Sequence, residues 1–318
     1  MRWKILVSAP YMQPVIERFR PILEEPGVPI ELVMPEVRER MSEAELLSCI
    51  SDIDGVISGD DSFTEKVLQA APKLKVISKW GTGIDSIDQE AAKRMGVAVC
   101  NTPDAFTQAV ADTVLGYALS FARQLPWMDR DIRNGVWDKR PGFTLSEATL
   151  GVIGLGNVGQ AVVRRAVAFG MPVIGYDILP PPESFLTETG TEMVDKSDLL
   201  KLADFVSLNC DLNATSHHII SAGELALMKS TAVLINTARG PLVNEKALVS
   251  ALESASIGGA ALDVFEDEPL PQESGLRSLD NCLLAPHNAN SSPAAYELVH
   301  RNTVTNLIDQ LKRASDTL

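Results

Sequence analysis

Residues 149–170 read TLGVIGLGNVGQAVVRRAVAFG. A short apolar run, TLGVIG (149–154), leads into Gly154-x-Gly156-x-x-Gly159, and an amphipathic helical pattern follows. The three glycines serve different ends. Gly154 allows a tight turn, Gly156 lets the backbone approach a bound group closely, and Gly159 lets helix and strand pack closely. The helix start then offers N–H groups and the positive end of its dipole, which suits a pyrophosphate. A lone glycine triplet is weak evidence, but strand, loop and helix come here in the order that a dinucleotide site requires. The next apolar run, MPVIGYD (171–177), ends on Asp177. An acid at that distance accepts hydrogen bonds from a ribose and repels a 2′-phosphate. The following ILPPPESF (178–185) has no Arg or Lys to hold such a phosphate, so the expected cofactor is NAD rather than NADP.

The pattern extends in both directions. Short runs rich in Val and Ile recur at 4–10, 30–35, 54–60, 74–80 and 97–103, then at 149–154, 171–177, 204–210, 231–238, 258–264 and 282–287. Most are continuously apolar, as strands buried on both faces of a parallel sheet are. Helical stretches lie between them. SEAELLSCIS (42–51) opens with a capping-box pattern, and NEKALVSALES (244–254) has its apolar residues at helical spacing. The fold class is therefore α/β, with doubly wound parallel sheets. A long, largely apolar helix at 105–125 separates the two strand series. A polar, loop-like arm at 126–147 follows it and carries Trp127 and Trp137. A last helix is expected at 293–314.

At roughly 100–200 residues per domain, 318 residues favour two domains. The 45% hydrophobic and 22% charged composition is that of a globular chain. A net charge of −14 argues against nucleic-acid or anionic-membrane binding. Cys49, Cys100, Cys210 and Cys282 form no C-x-x-C pair and no metal-ligand spacing with histidine, as expected of reduced thiols in the cytoplasm. The opening MRWKILVSAP lacks the long apolar core of a secretory signal, and no run approaches the length of a membrane span.

Three polar residues end successive apolar runs. Arg239 follows AVLINTA, Glu268 follows ALDVFED, and His287 ends LLAPH. Each alone reads equally well as a surface charge, part of an acidic loop, or a satisfied core histidine. Ligands of open α/β sheets bind beyond the carboxyl ends of the strands, so all three are expected at one crevice, beside the dinucleotide. Hydride exchange with a 2-oxo acid needs a cation for the carboxylate and carbonyl, a proton donor, and a carboxylate to orient that donor.

With those residues in hand, the chain resembles the D-isomer-specific 2-hydroxyacid dehydrogenases. The matching stretches are KWGTGIDSIDQEAAKRMGVAVCNTP (79–103), ARQLP (122–126), TLGVIGLGNVG (149–159), INTARGPLVNEKAL (235–248), GAALDVFEDEP (259–269) and NCLLAPH (281–287). The resemblance implies a Rossmann NAD-binding domain at 102–289, inserted in a flavodoxin-like substrate domain made of 1–101 and 290–318. It also implies a homodimer joined through the NAD-binding domain. It assigns substrate binding and activation to Arg239, acid/base catalysis to His287 and its partner carboxylate to Glu268. It places the backbone of Gly81, Thr82 and Gly83 on the substrate carboxylate, and Asn157 and Val158 on the pyrophosphate. Cys210, Thr237, Ala238 and Asp263 are expected to line the nicotinamide side.

KWGTGID, NTPDAF and ARQLPW look most like phosphoglycerate dehydrogenases, with Lys79 and Lys139 as candidates for a substrate phosphate. The 318 residues are expected to lack the C-terminal regulatory domain that many of those enzymes carry. SLNCDLNATSHHII and TARGPLVNEKAL resemble the C-terminal-binding-protein branch too, which keeps an NAD-sensing regulatory protein as the alternative from another class. Two departures stand out: Asn209-Cys210-Asp211 where the family often has His-x-Pro, and a polar rim of Asn288, Asn290, Ser291 and Ser292 after His287. The polar rim points toward an acidic or polar 2-oxo acid, with 3-phosphohydroxypyruvate, hydroxypyruvate and glyoxylate as candidates.

Overall fold

The computed structural model describes residues 2–25 and 27–316. Residues 1, 26, 317 and 318, which belong to the expected substrate-domain segments, lie outside the described residues. The chain forms two compact units, Met1–Phe106 with Ser291–Leu318, and Thr107–Asn290. The first break thus falls five residues beyond the expected 101, for a local reason. Thr102 donates from N and Oγ1 to the Gly81 carbonyl (2.9 and 3.1 Å), and the Phe106 ring packs on Trp80.

In the discontinuous unit, strands β1 (Trp3–Val7), β2 (Ile30–Val33), β3 (Gly55–Ser58), β4 (Val76–Lys79) and β5 (Ala98–Cys100) pair in the order β2-β1-β3-β4-β5. Every pairing is parallel, in the flavodoxin-like order. All residues of β3 and β4 are buried, Ser58, Ser78 and Lys79 included, which is why their sequences show no apolar–polar alternation. The final helix, Pro293–Asp316, is part of this unit's core. Leu307 reaches Gly55, where a Cβ would stand only 2.9 Å from its Cδ1. Ser78 Oγ donates to the Thr303 carbonyl (2.8 Å), and Asn306 Nδ2 to that of Asn101 (3.0 Å).

The continuous unit holds β6 (Leu150–Ile153), β7 (Val173–Tyr176), β8 (Glu192–Met193), β9 (Phe205–Leu208), β10 (Val233–Asn236), β11 (Gly259–Leu262) and β12 (Cys282–Leu284). They pair in the order β12-β11-β10-β9-β6-β7-β8, all parallel, which is the Rossmann arrangement with one added strand. The strand order reverses between β6 and β9, and the glycine loop leaves β6 at that point.

Local signals set several helix ends. Glu43–Cys49 carries the expected capping box between Ser42 and Glu45. Glu245–Glu253 is capped by Asn244, whose Oδ1 accepts the Ala247 N–H at 3.0 Å. The long helix runs Thr107–Arg123 and packs on the helix Asn157–Ala168.

Two elements differ from the sequence reading. The arm at 126–147 is not loop throughout: Leu125–Arg133 is a helix with Pro126 in its first turn and an Arg133–Asp129 pair on its surface. Its anchor is Trp127, whose ring meets Phe121 (4.9 Å between centroids) and whose Nε1 donates to the Asp280 carbonyl (2.7 Å). Strand β8 was not anticipated; two residues are too short for any periodicity. Among the described residues, no helix is long and apolar enough to cross a membrane.

Candidate active site

Every strand of the continuous unit is parallel, so the residues that follow each strand gather at one edge of the sheet. Gly154 leaves β6 at φ +91°, and a side chain there would strike the backbone of Asn209 and Cys210 beyond β9. A Cβ on Gly159 would overlap the Gly154 carbonyl, so the loop and the first helical turn close on each other only without side chains. Gly156 is the N-cap of Asn157–Ala168; no side chain caps that helix start, and a Cβ on Gly156 would point into open space. Asn157 is exposed and Val158 half-buried beside it. Asp177, just past β7, is held by two backbone donors: Leu155 N–H to Oδ2 (2.5 Å) and Leu179 N–H to Oδ1 (3.0 Å).

The ends of β9 and β10 carry buried polar atoms without protein partners, Asn209 Oδ1 and Thr237 Oγ1. Such atoms carry a desolvation cost unless a ligand or water meets them. The uncapped helix start, the side-chain-free loop and these two acceptors fit a bound dinucleotide with a polar carboxamide end. Burial pushes the Cys210 thiol up to about 11, so it stays neutral and contributes packing rather than nucleophilic chemistry. Ala238 is half-buried, and its N–H donates to Asn236 Oδ1 (3.1 Å).

Asn236 shapes the turn that presents Arg239. Its Nδ2 donates to the Arg239 carbonyl (2.8 Å), while Arg239 Nη1 donates to the Ala238 carbonyl (2.9 Å). His287 sits beyond β12 at φ +50°, a left-handed conformation that costs a non-glycine residue about 1–3 kcal/mol and persists only where neighbours enforce it. Asp263 does so. Its carbonyl accepts the His287 N–H (2.7 Å), and its carboxylate accepts the N–H groups of Asn288 (2.9 Å) and Ala289 (2.8 Å). Expected on the nicotinamide side, Asp263 is buried with both carboxylate oxygens engaged by this loop. Burial raises its pKa, and the two N–H donors and nearby His287 oppose that rise. The His287 ring is hydrogen-bonded through Nδ1 to Glu268 Oε2 (2.8 Å), and Glu268 Oε1 accepts the Phe265 N–H (2.9 Å). The carboxylate is thereby fixed at both oxygens, and it holds the ring through Nδ1.

In the discontinuous unit, Gly81 adopts φ +132°, and Asn101 Nδ2 donates to the Thr82 carbonyl (2.6 Å). Thr82 is exposed and Gly83 half-buried. Lys79 is buried, with its ammonium 2.9 Å from Asp60 Oδ1. Lys139 is exposed in the stretch that follows the helix Leu125–Arg133. Sequence reasoning did not find Asn236 or the loop-holding role of Asp263, because both act on backbone groups that no side-chain pattern reveals. Among the described residues, no group of three or more His, Cys, Asp or Glu could hold a metal ion.

Comparison with known proteins decides the family. Residues 115–289 match the model for the NAD-binding domain of D-isomer-specific 2-hydroxyacid dehydrogenases. The chain belongs to the D-isomer-specific 2-hydroxyacid dehydrogenase family. It is 43% identical over 296 residues to a D-3-phosphoglycerate dehydrogenase of Methanocaldococcus jannaschii, covering 92% of this chain and 54% of that enzyme. The chain thus spans about half the length of that relative. It is 40% identical over 273 residues to a glyoxylate reductase of Thermococcus litoralis, covering 83% and 82% of the two chains. Among solved structures of the family, the D-lactate dehydrogenase of Aquifex aeolicus, in complex with NAD and lactic acid, superposes with a TM-score of 0.88. The two are 26% identical, with 99% of this chain and 97% of that one covered. Within this family the continuous unit is the NAD-binding domain.

Proposed function

We propose that this family member exchanges a hydride between NAD(H) and a D-2-hydroxy acid/2-oxo acid pair whose oxo acid is polar. The observation that carries the reading is the Glu268–His287 pair at 2.8 Å, fixed by Asp263 and Phe265 at the sheet edge that also bears the glycine loop. When bound, NADH supplies the hydride to the carbonyl carbon. Arg239 binds the substrate carboxylate through its planar fork and polarises the carbonyl. His287 delivers a proton from Nε2 to the carbonyl oxygen as the hydroxyl forms, and Glu268 steadies the ring and its positive charge. Asn157 and Val158 meet the pyrophosphate, and Asp177 the ribose, which favours NAD over NADP. Thr237, Ala238 and Cys210 line the nicotinamide end. We assign substrate contact in the discontinuous unit to the backbone of Gly81, Thr82 and Gly83.

The leading substrate is 3-phosphohydroxypyruvate, with Lys79 and Lys139 as phosphate partners. Hydroxypyruvate or glyoxylate is the second reading, and one observation favours it: the Lys79 ammonium is already engaged by Asp60. A panel of these three acids and pyruvate, followed by NADH absorbance, tests both. Preference for pyruvate refutes the polar-substrate reading, and no turnover of any acid favours the NAD-sensing regulatory alternative. We extend the proposal to a cytoplasmic homodimer formed through the NAD-binding domain. It is supported by Ile132, Val136 and the 86% exposed Trp137 on the arm, and by four free cysteines. Light scattering at micromolar concentration tests the dimer.

A further inference from the structure

His217 and His218 lie in the loop after β9, outside the machinery assigned above. His218 adopts φ +51°, a left-handed backbone that a histidine holds only under constraint. Its backbone N–H donates to the Pro241 carbonyl (2.8 Å), two residues beyond Arg239. Its Nε2 is 2.6 Å from Glu266 Oε1, two residues before Glu268. One residue therefore grips both the loop that carries Arg239 and the loop that carries Glu268.

Those loops also press on each other. A Cβ on Gly240 would overlap the Phe265 carbonyl, so only glycine permits this approach. The next residues repeat the tie, since Ile220 N–H donates to the Leu242 carbonyl and Asn244 N–H to that of Ile220 (3.1 and 2.9 Å). The Phe265 N–H that fixes Glu268 adjoins Glu266, whose own N–H donates to Glu245 Oε1 (2.5 Å). Four carboxylates thus crowd one loop: Glu245, Glu266, Asp267 and Glu268. His218 meets that acidic cluster with an imidazole, and the His217 ring lies against it at 4.0 Å between centroids.

We infer that His218 is a positioning residue: through Pro241 and Glu266 it locks the Arg239 and Glu268 loops together, and so holds Glu268 on His287. This rests on the assignment of Glu268 and His287 given above. Arg239 and Glu268 come from different strands, and each is carried by the loop that follows its strand. A contact shared by both loops is what converts two strand ends into one fixed geometry.

The test uses the full-length protein with NADH and hydroxypyruvate, or the faster of glyoxylate and 3-phosphohydroxypyruvate. His218→Ala, His218→Gln, Glu266→Gln and Glu268→Gln are compared by kcat, KM, NADH affinity, Tm and the pH profile of kcat/KM. Glu268→Gln first moves the histidine limb of that profile to lower pH, because the carboxylate that favours imidazolium is gone. If it does not, the assignment of Glu268 fails, and this proposal with it. With that shift in hand, His218→Ala lowers kcat about tenfold and moves the same limb in the same direction, with NADH affinity unchanged. His218→Gln, whose amide still donates to Glu266, restores most of both. Should His218→Ala not fold, Glu266→Gln replaces it, with the same shift expected. A limb that stays at its wild-type position, whatever happens to Tm, overturns the proposal.

Discussion

Gly156 and Gly159 lie three residues apart in one loop, and alanine at each should fail in a different way. At Gly156 the backbone is extended (φ −69°, ψ −162°), and a Cβ would have nothing within 4 Å. Alanine there should leave folding untouched, with Tm within about 1 °C of wild type. On the proposed pyrophosphate role of this loop, the methyl occupies the space that the pyrophosphate must enter, so the cost should appear only on binding. At Gly159 a Cβ overlaps the Gly154 carbonyl oxygen and stands 3.0 Å from its carbon. Non-bonded heavy atoms prefer about 3.5–4.0 Å, and the overlap with the oxygen is the deeper one, so the helix start must retreat by more than about 1 Å. Both contacting atoms are backbone and cannot rotate away, which puts the cost at the upper end of about 1–3 kcal/mol for overpacking. For a unit of this size that lowers Tm by roughly 4–10 °C. The same retreat draws the helix N–H groups off the phosphates. NADH fluorescence titration should therefore show Kd weakened by about 10–100-fold in both variants, corresponding to roughly 1.4–2.7 kcal/mol. Scanning calorimetry separates them. Equal Tm losses, or a Gly156→Ala variant that binds NADH normally, would refute the reasoning.

Three further outcomes follow from the site. Arg239→Ala should lower kcat/KM by about 10²–10³-fold while NADH affinity stays within about threefold, as steady-state kinetics and titration will show. Asp177→Ser removes the carboxylate that repels a 2′-phosphate, so the NADH/NADPH ratio of kcat/KM should fall by about tenfold or more; an unchanged ratio contradicts its ribose role. Burial and the neighbouring Glu266, Asp267 and Glu268 raise the pKa of Glu245 above its ordinary value. The folded chain then holds more protons than the unfolded one between the ordinary and the raised pKa, and stability falls as pH rises through that window. Glu245→Gln keeps an acceptor for the Glu266 N–H and removes this fall, so its Tm relative to wild type should rise between acidic and neutral pH.

Buried parallel strands advertise themselves: β6 and β11 are unbroken apolar runs, and β3, β4, β9 and β10 are mostly apolar around Ser58, Ser78, Lys79, Ser207 and Asn236. The same logic brought Arg239, Glu268 and His287 to one edge, because parallel strands share a carboxyl end. What stayed hidden is what depends on partners distant in sequence. The helix Leu125–Arg133 has a largely charged surface that also exposes Leu125 and Ile132, and a single buried anchor, Trp127, whose hydrogen-bond acceptor Asp280 lies in another part of the unit. Lys79 reads as a free cation until Asp60, beyond the adjacent strand, is seen beside it. Asp263 reads as one more acid after a strand, and only three dimensions show its carboxylate on the backbone of Asn288 and Ala289. His218 and Glu266, at 2.6 Å, share no local pattern that spacing could expose.

The seat of helix Pro293–Asp316 in the first sheet's core bears on how the chain is made. The five strands of that sheet emerge from the ribosome before this helix does. The surface over Gly55, Ser78 and Asn101 is not covered until Leu307, Thr303 and Asn306 are synthesised. The residues in between form a unit that is one unbroken segment and needs nothing from either flank to complete its own sheet. Domains ordinarily fold in the order of synthesis. Here the order is inverted: the NAD-binding domain can finish while the older strands wait, exposed, for the turns of that helix.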